Sequence, residues 1–289
     1  MNKTVMYGQP VADKILTTVK ERVANYTEPP VLKIVTAGND MASQVYMRNK
    51  LKAAEACGIE AEVVRLDGMS YEDMVGTMFR LNRIADGIIV QLPMPNEMPV
   101  EQLINAINYS RDVDCMTEEC TGAFYKNREW YAPCTPQAVM DILRYYGVKV
   151  KGKNVLIIGR SSLVGRPMAE LMLREDATIT ICHSKTSRYE LLHAFAHADI
   201  VVSAAGVANL ITEEDAHQYW KDNRHDTYGD FAFKRDRIIV DVSINSDAAG
   251  KLCGDFTEEF KQKYSSHYTP VPKGVGPVTV AELMKNVVQ

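Results

Sequence analysis

The chain has 289 residues, 46% hydrophobic and 24% charged, an ordinary globular composition able to bury a real core in one large domain or two smaller ones. Lys+Arg 33 against Asp+Glu 37 leaves a net charge of -4, which offers no footprint for nucleic acid or another polyanion. No apolar run approaches the about 18 residues of a membrane span, and the opening "MNKTVMYGQPVADKIL" lacks the features of a signal peptide; no membrane contact and a cytoplasmic location are expected.

In chain order, "VLKIVTAG" (31–38) predicts a strand and "ASQVYMRNKLKAAEACG" (42–58) a helix closed by glycine. "EAEVVRL", a helix near 70–85 and the strand "GIIVQLPMP" (87–95) follow. These near-continuous apolar strands separated by helices form a βαβαβ pattern, the signature of a parallel sheet covered on both faces. "TPQAVMDILRYYG" (135–147) predicts a bridging helix with Thr135 as N-cap and Pro136 in its first turn. A second series then begins with "KNVLIIGR" (153–160), a helix through "GRPMAELMLRE" and the strand "ATITICHS". A helix over 188–197, the strand "DIVVSAAG" and "RIIVDVSIN" (237–245) continue it. The segment 212–236 predicts a helix followed by a surface loop, and "GPVTVAELMKNVVQ" a terminal helix able to pack back on the first unit. Two α/β units with a boundary near 135–150 are expected.

Cys57, Cys115, Cys120, Cys134, Cys182 and Cys253 form no CxxC pair, so reduced thiols are expected. His193 and His197 have metal-ligand spacing, yet no glutamate or third ligand stands in a motif position, so no metal is expected. Tyr46 and Lys50, four apart, share one face of the first unit's early helix. That pair is read either as a solvated edge or as the proton-moving end of an active site; lysines are mostly at the surface.

In "VLIIGRSSLVGRPMAELML" a buried strand, a turn carrying Gly159 and Gly165 and a helix follow one another. Glycine lets backbone approach a phosphate, and the helix start offers free N–H groups and partial positive charge. The G-x5-G spacing fits a nucleotide turn or a plain tight strand-to-helix turn. The next strand ends "CHSKT", without the carboxylate that usually holds an NAD ribose. Arg160, Ser184 and Lys185 suit a 2′-phosphate instead, which favours NADP over NAD, unless 183–186 is merely a polar loop.

"SQVYMRNK", "VQLPMP", "RDVDCMT", "PCTPQAVM", "GRSSLVGRPMAELML", "CHSKT" and "YTPVPKGVGPVT" occur in the order seen in the bifunctional methylenetetrahydrofolate dehydrogenase/cyclohydrolases, which the chain resembles from about residue 8 to its end. The resemblance implies an N-terminal α/β catalytic, folate-binding domain at 1–140, completed by the helix at 277–289, and a Rossmann-like doubly wound NADP-binding domain at 141–276. It implies tetrahydrofolate derivatives as substrates, bound in a cleft between the domains, NADP as cofactor and a homodimer built mainly through the NADP domains. By the same resemblance Lys50 is the catalytic lysine, Tyr46 stacks on folate, Gln91 tunes the lysine and Asp114 binds the pteridine. Ser43, Pro272, Gly276 and Pro277 line the folate site. Gly159, Arg160, Ser161 and Gly165 form the phosphate turn, Ser184 lies near the 2′-phosphate, and Ile244 gives a backbone contact to nicotinamide. On the residues alone, Asp112 and Asp114 also read as simple turn residues.

Three positions where the family usually has glycine carry side chains: Cys115 after "DVD", Ser243 in "DVSIN" and Lys273 in "PVPKGVGP". Where such a position needs positive φ, the substitution costs about 1 kcal/mol or shifts the loop. A dehydrogenase with weakened cyclohydrolase activity and a folate- or nucleotide-binding paralogue without turnover are therefore the alternatives to a bifunctional enzyme.

Overall fold

The structure is a computed structural model and describes residues 3–129, 131–222, 236–246 and 250–289. In chain order it begins with β1 (Thr4–Val5), α1 (Gln9–Val23), β2 (Val31–Thr36), α2 (Met41–Cys57), β3 (Glu60–Arg65), α3 (Tyr71–Ile84) and β4 (Gly87–Val90). Then come α4 (Val100–Asn105), α5 (Glu118–Tyr125), α6 (Cys134–Tyr145), β5 (Asn154–Ile158), α7 (Gly165–Arg174), β6 (Thr178–Cys182), α8 (Arg188–His197) and β7 (Ile200–Ser203). The last elements are α9 (Glu213–Asp222), β8 (Ile238–Asp241), β9 (Asn245–Ser246), β10 (Leu252–Cys253), α10 (Glu258–Tyr264), β11 (His267–Tyr268) and α11 (Val275–Val287).

The chain forms two compact units, one of residues 12–134 with 279–289, the other of 1–11 with 135–278. In the first, β3-β2-β4 make a parallel sheet. Alternation along its strands sends Leu32, Ile34 and Ile89 to one face and Val35, Ile88 and Val90 to the other. Leu283, Met284 and Val287 of α11 pack into the first of these cores, so the terminal helix does join this unit. In the second unit six strands pair in the order β1-β11-β8-β7-β5-β6. Every pairing in that sheet is parallel. One face buries Leu156, Ile158, Val201 and Ile239 against α8, α9 and α10, with Phe195, Phe256 and Phe260 at the centre of the cluster.

Two expectations need correction. Helix α6 starts at Cys134, so Thr135 lies inside its first turn and is not the N-cap. The strand expected over 237–245 ends at Asp241, because the chain turns off there and Asn245–Ser246 pairs antiparallel with β10. Of the segment 212–236, α9 is the helical part; 223–235 lie outside the described residues. Among the described residues no helix is long and apolar enough to cross a membrane.

Candidate active site

The site in the first unit grows from the carboxyl ends of its strands. Chain order sends β3 to one side of β2 and β4 to the other, so a switch point opens between β2 and β4, where α/β folds bind ligands. Helix α2 starts above that point. Its N-cap is Asp40, whose Oδ1 accepts the Ser43 backbone N–H at 3.0 Å, and Gly58 closes it with φ of 77°. The Ser43 hydroxyl donates to the carbonyl of Leu92 at 3.3 Å and so ties the helix start to the loop after β4.

One helical turn beyond Tyr46 stands Lys50, whose Nζ donates to Gln91 Oε1 at 2.8 Å. Gln91 is buried, and its amide can turn only one way: Nε2 donates to the Leu92 carbonyl at 2.6 Å, leaving the oxygen for the lysine. Its backbone N–H also donates to Val35 in β2, so the side chain rises from a fixed strand end. Burial holds the Lys50 ammonium below the ordinary lysine range, and the Asp114 carboxylate and Cys134 thiol only partly oppose it. Burial also raises the Tyr46 phenol, which keeps it neutral. Lys52, two residues on, is exposed.

The loop "DVDCM" divides its two carboxylates between two tasks. Asp112 is buried and accepts the N–H groups of Met116 at 3.0 Å and Thr117 at 2.7 Å, which makes it the turn residue. Asp114 accepts the Cys134 N–H at 3.1 Å through one oxygen and lies close enough to act on Lys50. Cys115 holds φ of 52°, so a side chain stands in the left-handed region beside Asp114. The Val113 carbonyl accepts from Asn286 Nδ2 at 2.8 Å, which pins the loop to α11.

The second unit has its own switch point, between β5 and β7. There Gly159 has φ of 125°, and a Cβ on it would lie 2.5 Å from the Ala204 carbonyl oxygen. A Cβ on Gly165 would lie 2.3 Å from the Gly159 oxygen. Both glycines are therefore required by close backbone approach, and α7 starts directly over the turn. The Ser161 hydroxyl accepts the N–H of Val164 at 3.2 Å, while Arg160 and Ser161 stand exposed on the turn. Ser184 is exposed in the next loop, which is braced by the His183 N–H donating to Thr186 Oγ1 at 2.9 Å. Ile244 is exposed just beyond β8. The turn, the exposed arginine and the serine loop without a carboxylate fit a phosphorylated dinucleotide.

Pro272, Gly276 and Pro277 also belong to this unit, in the loop before α11 and its first turn. Lys273 has φ of 85°, its side chain is exposed and its carbonyl accepts the Gly8 N–H at 2.9 Å. The third replaced glycine, Ser243, is not in the positive-φ region; it is buried and hydrogen-bonded. Among the described residues no group of three His, Cys, Asp or Glu is placed to hold a metal. His193 Nδ1 is instead shared with the Tyr219 hydroxyl at 3.0 Å.

Asp40, Cys134, Ser203 and Asp255 organise these sites without a motif that marks any of them as a site residue. Asp40 carried a readable signal, an Asx residue three before Ser43 at a helix start. The other three act through contacts distant in sequence.

A small parallel sheet with a partly buried lysine on the helix above its switch point, and a doubly wound sheet with a glycine-tight turn suited to a phosphate, are the features of a two-unit α/β enzyme dependent on a nucleotide. Sequence profiles of the tetrahydrofolate dehydrogenase/cyclohydrolase family match residues 6–114 as its catalytic domain and 133–219 with 228–289 as its NAD(P)-binding domain. The chain belongs to that family. It is 36% identical over 99% of its length to the bifunctional protein FolD of Bdellovibrio bacteriovorus, covering 95% of that protein. The crystal structure of the Campylobacter jejuni bifunctional FolD dehydrogenase/cyclohydrolase superposes with a TM-score of 0.88 at 34% identity, with 99% and 97% of the two chains covered. The Trypanosoma brucei dehydrogenase-cyclohydrolase, solved with NADP cofactor and inhibitor, superposes at 0.87 with 33% identity, covering 99% and 97%.

Proposed function

We propose that this chain oxidises 5,10-methylenetetrahydrofolate to 5,10-methenyltetrahydrofolate with NADP and hydrolyses that product to 10-formyltetrahydrofolate. The observation that carries the reading is Lys50: a partly buried amine of lowered basicity, held by a neutral amide 2.8 Å away. A carboxylate there would lock the lysine as ammonium; the glutamine orients it and leaves it free to exchange protons.

NADP, when bound, supplies the acceptor for a hydride leaving the methylene bridge. Gly159, Arg160, Ser161 and Gly165 hold its phosphates, Ser184 meets the 2′-phosphate, and Ile244 offers backbone to the carboxamide. The residues about Lys50 form the folate-binding, catalytic domain, and the doubly wound sheet forms the NADP domain. The Tyr46 ring stacks on the folate, Asp114 accepts pteridine N–H groups through the oxygen not given to Cys134, and Ser43 lines the pocket beside them. In the hydrolytic step Lys50 takes a proton from water as its oxygen bonds to the cationic methenyl carbon. As the bond from that carbon to N5 breaks, the ammonium returns the proton to N5. The new hydroxyl gives up its own proton to solvent, so a neutral formyl group stays on N10 and one proton is released overall. Cys115 and Lys273 hold backbone angles that glycine would hold, which favours an unaltered pocket and so the bifunctional reading over a weakened one. A homodimer built mainly through the NADP domain belongs to the same proposal, with β6 an edge strand bearing exposed Ile181. So does a cytoplasmic location.

Purified protein given methylenetetrahydrofolate should reduce NADP faster than NAD and should pass through methenyltetrahydrofolate without accumulating it. No reduction of either nucleotide would overturn the enzyme reading, and lasting methenyl build-up would reassign the chain as a dehydrogenase alone.

A further inference from the structure

The carboxyl ends of β7 and β8 in the second unit are joined through one buried carboxylate. Asp255 is fully buried and its Oδ2 accepts from Ser203 Oγ at 2.6 Å, Ser243 Oγ at 2.8 Å and the Ala205 N–H at 2.9 Å. Its Oδ1 accepts from the Val207 N–H at 2.8 Å and from Asn245 Nδ2 at 3.0 Å. Several donors on one buried anion offset its desolvation, which makes the assembly stiff and intolerant of a lost partner. Asp255 is itself fixed: its N–H and that of Phe256 both donate to Asp241 at 3.1 Å, and Asp241 abuts Gly254 so closely that a Cβ there would lie 2.0 Å from Oδ2.

Ser243 closes the arrangement. Its hydroxyl donates to Asp255 and accepts the Gly206 N–H at 3.0 Å, so one side chain spans the loop after β7 and the loop after β8. Three successive backbone donors, Ala205, Gly206 and Val207, are thereby turned onto Asp255 or Ser243. With the Ala204 N–H also given to Ile158, the backbone of 204–207 has only carbonyl oxygens left to offer a ligand. An acceptor rim suits ligand N–H and O–H donors and repels phosphate, unlike the donor-rich turn at Gly159. Ile244, next to Ser243, stands exposed on the partner loop.

We propose that Ser243 is a positioning residue for the nicotinamide end of the dinucleotide: by bridging Asp255 and Gly206 it holds the 204–207 rim and Ile244 in register for carboxamide and ribose donors. The inference rests on the NADP-dependent dehydrogenase reading. It departs from what the family pattern offers, because a glycine at this position has no hydroxyl with which to make either bond.

The test uses the full-length protein with Ser243→Ala and Ser243→Gly, binding measured for NADP and for adenosine 2′,5′-bisphosphate, which lacks the nicotinamide half. Losing a hydrogen-bonded bridge should weaken NADP about tenfold and slow dehydrogenase turnover to a similar degree. Binding of the bisphosphate and the cyclohydrolase rate, which needs no nucleotide, should stay at the wild-type level. Equal weakening of both nucleotides, or loss of cyclohydrolase activity, would show a general structural role and overturn the proposal. Unchanged NADP binding and turnover would overturn it as well. Failure of the wild-type protein to reduce NADP would instead strike the dehydrogenase reading, a result these variants cannot mimic.

Discussion

Changing Gln91 to Glu replaces a neutral acceptor with a charge while keeping the shape of the contact. Two unit charges at the observed 2.8 Å and an effective dielectric near 20 attract by about 6 kcal/mol. Lys50 is partly open to solvent, which reduces the effect to about 3 kcal/mol, or roughly a hundredfold in the fraction of neutral amine. The sign follows from the direction of each influence. Burial lowers the lysine in the native protein, so its neutral form is populated at lower pH than an ordinary side chain, and the new carboxylate reverses that. The assay is hydrolysis of methenyltetrahydrofolate across pH, beside NADP reduction by methylenetetrahydrofolate. Gln91→Glu should lose cyclohydrolase activity at neutral pH by about a hundredfold and move the rising limb of the pH profile upward, with hydride transfer held within about tenfold. A neutral-pH cyclohydrolase rate close to wild type, with the limb unmoved, would refute the role given to the neutral amide.

Gly165→Ala places a Cβ 2.3 Å from the Gly159 carbonyl oxygen, so the phosphate turn must open. The KM for NADP should rise by at least about tenfold while cyclohydrolase activity persists, as initial-rate kinetics of both reactions would show. Lys273→Gly removes an exposed side chain from a residue with φ of 85°. After allowing for the greater freedom of glycine in the unfolded chain, a gain of about 0.5–1 kcal/mol is expected in denaturant unfolding, and Lys273→Val should lose more than that.

The alternation of apolar strands and helices was legible because both sheets are parallel and covered on two faces, so their strands are continuous runs such as "VLIIG". The two-residue β1 was not, since it exists only by pairing with β11 at the far end of the chain. The tight turn at Gly159 and Gly165 was half legible: spacing showed two glycines, and only the folded backbone shows that neither has room for a methyl group. Lys50 was the harder case. Helical periodicity puts Tyr46 and Lys50 on one face but cannot say whether that face or the one bearing Lys52 turns inward. The answer lies in a hydrogen bond to a residue 41 positions away. Asp255 had no local signal, since its partners come from 203–207 and 243–245 while it sits in the irregular stretch "CGDF".

The central claim is that Lys50 moves protons and is not needed to transfer a hydride. Lys50→Met keeps the length of the side chain and removes the exchangeable proton, and both activities can be followed in one preparation. The account predicts that cyclohydrolase activity falls to background while NADP reduction continues and methenyltetrahydrofolate accumulates. Equal and complete loss of both activities, in a protein that still folds and binds NADP, would contradict it.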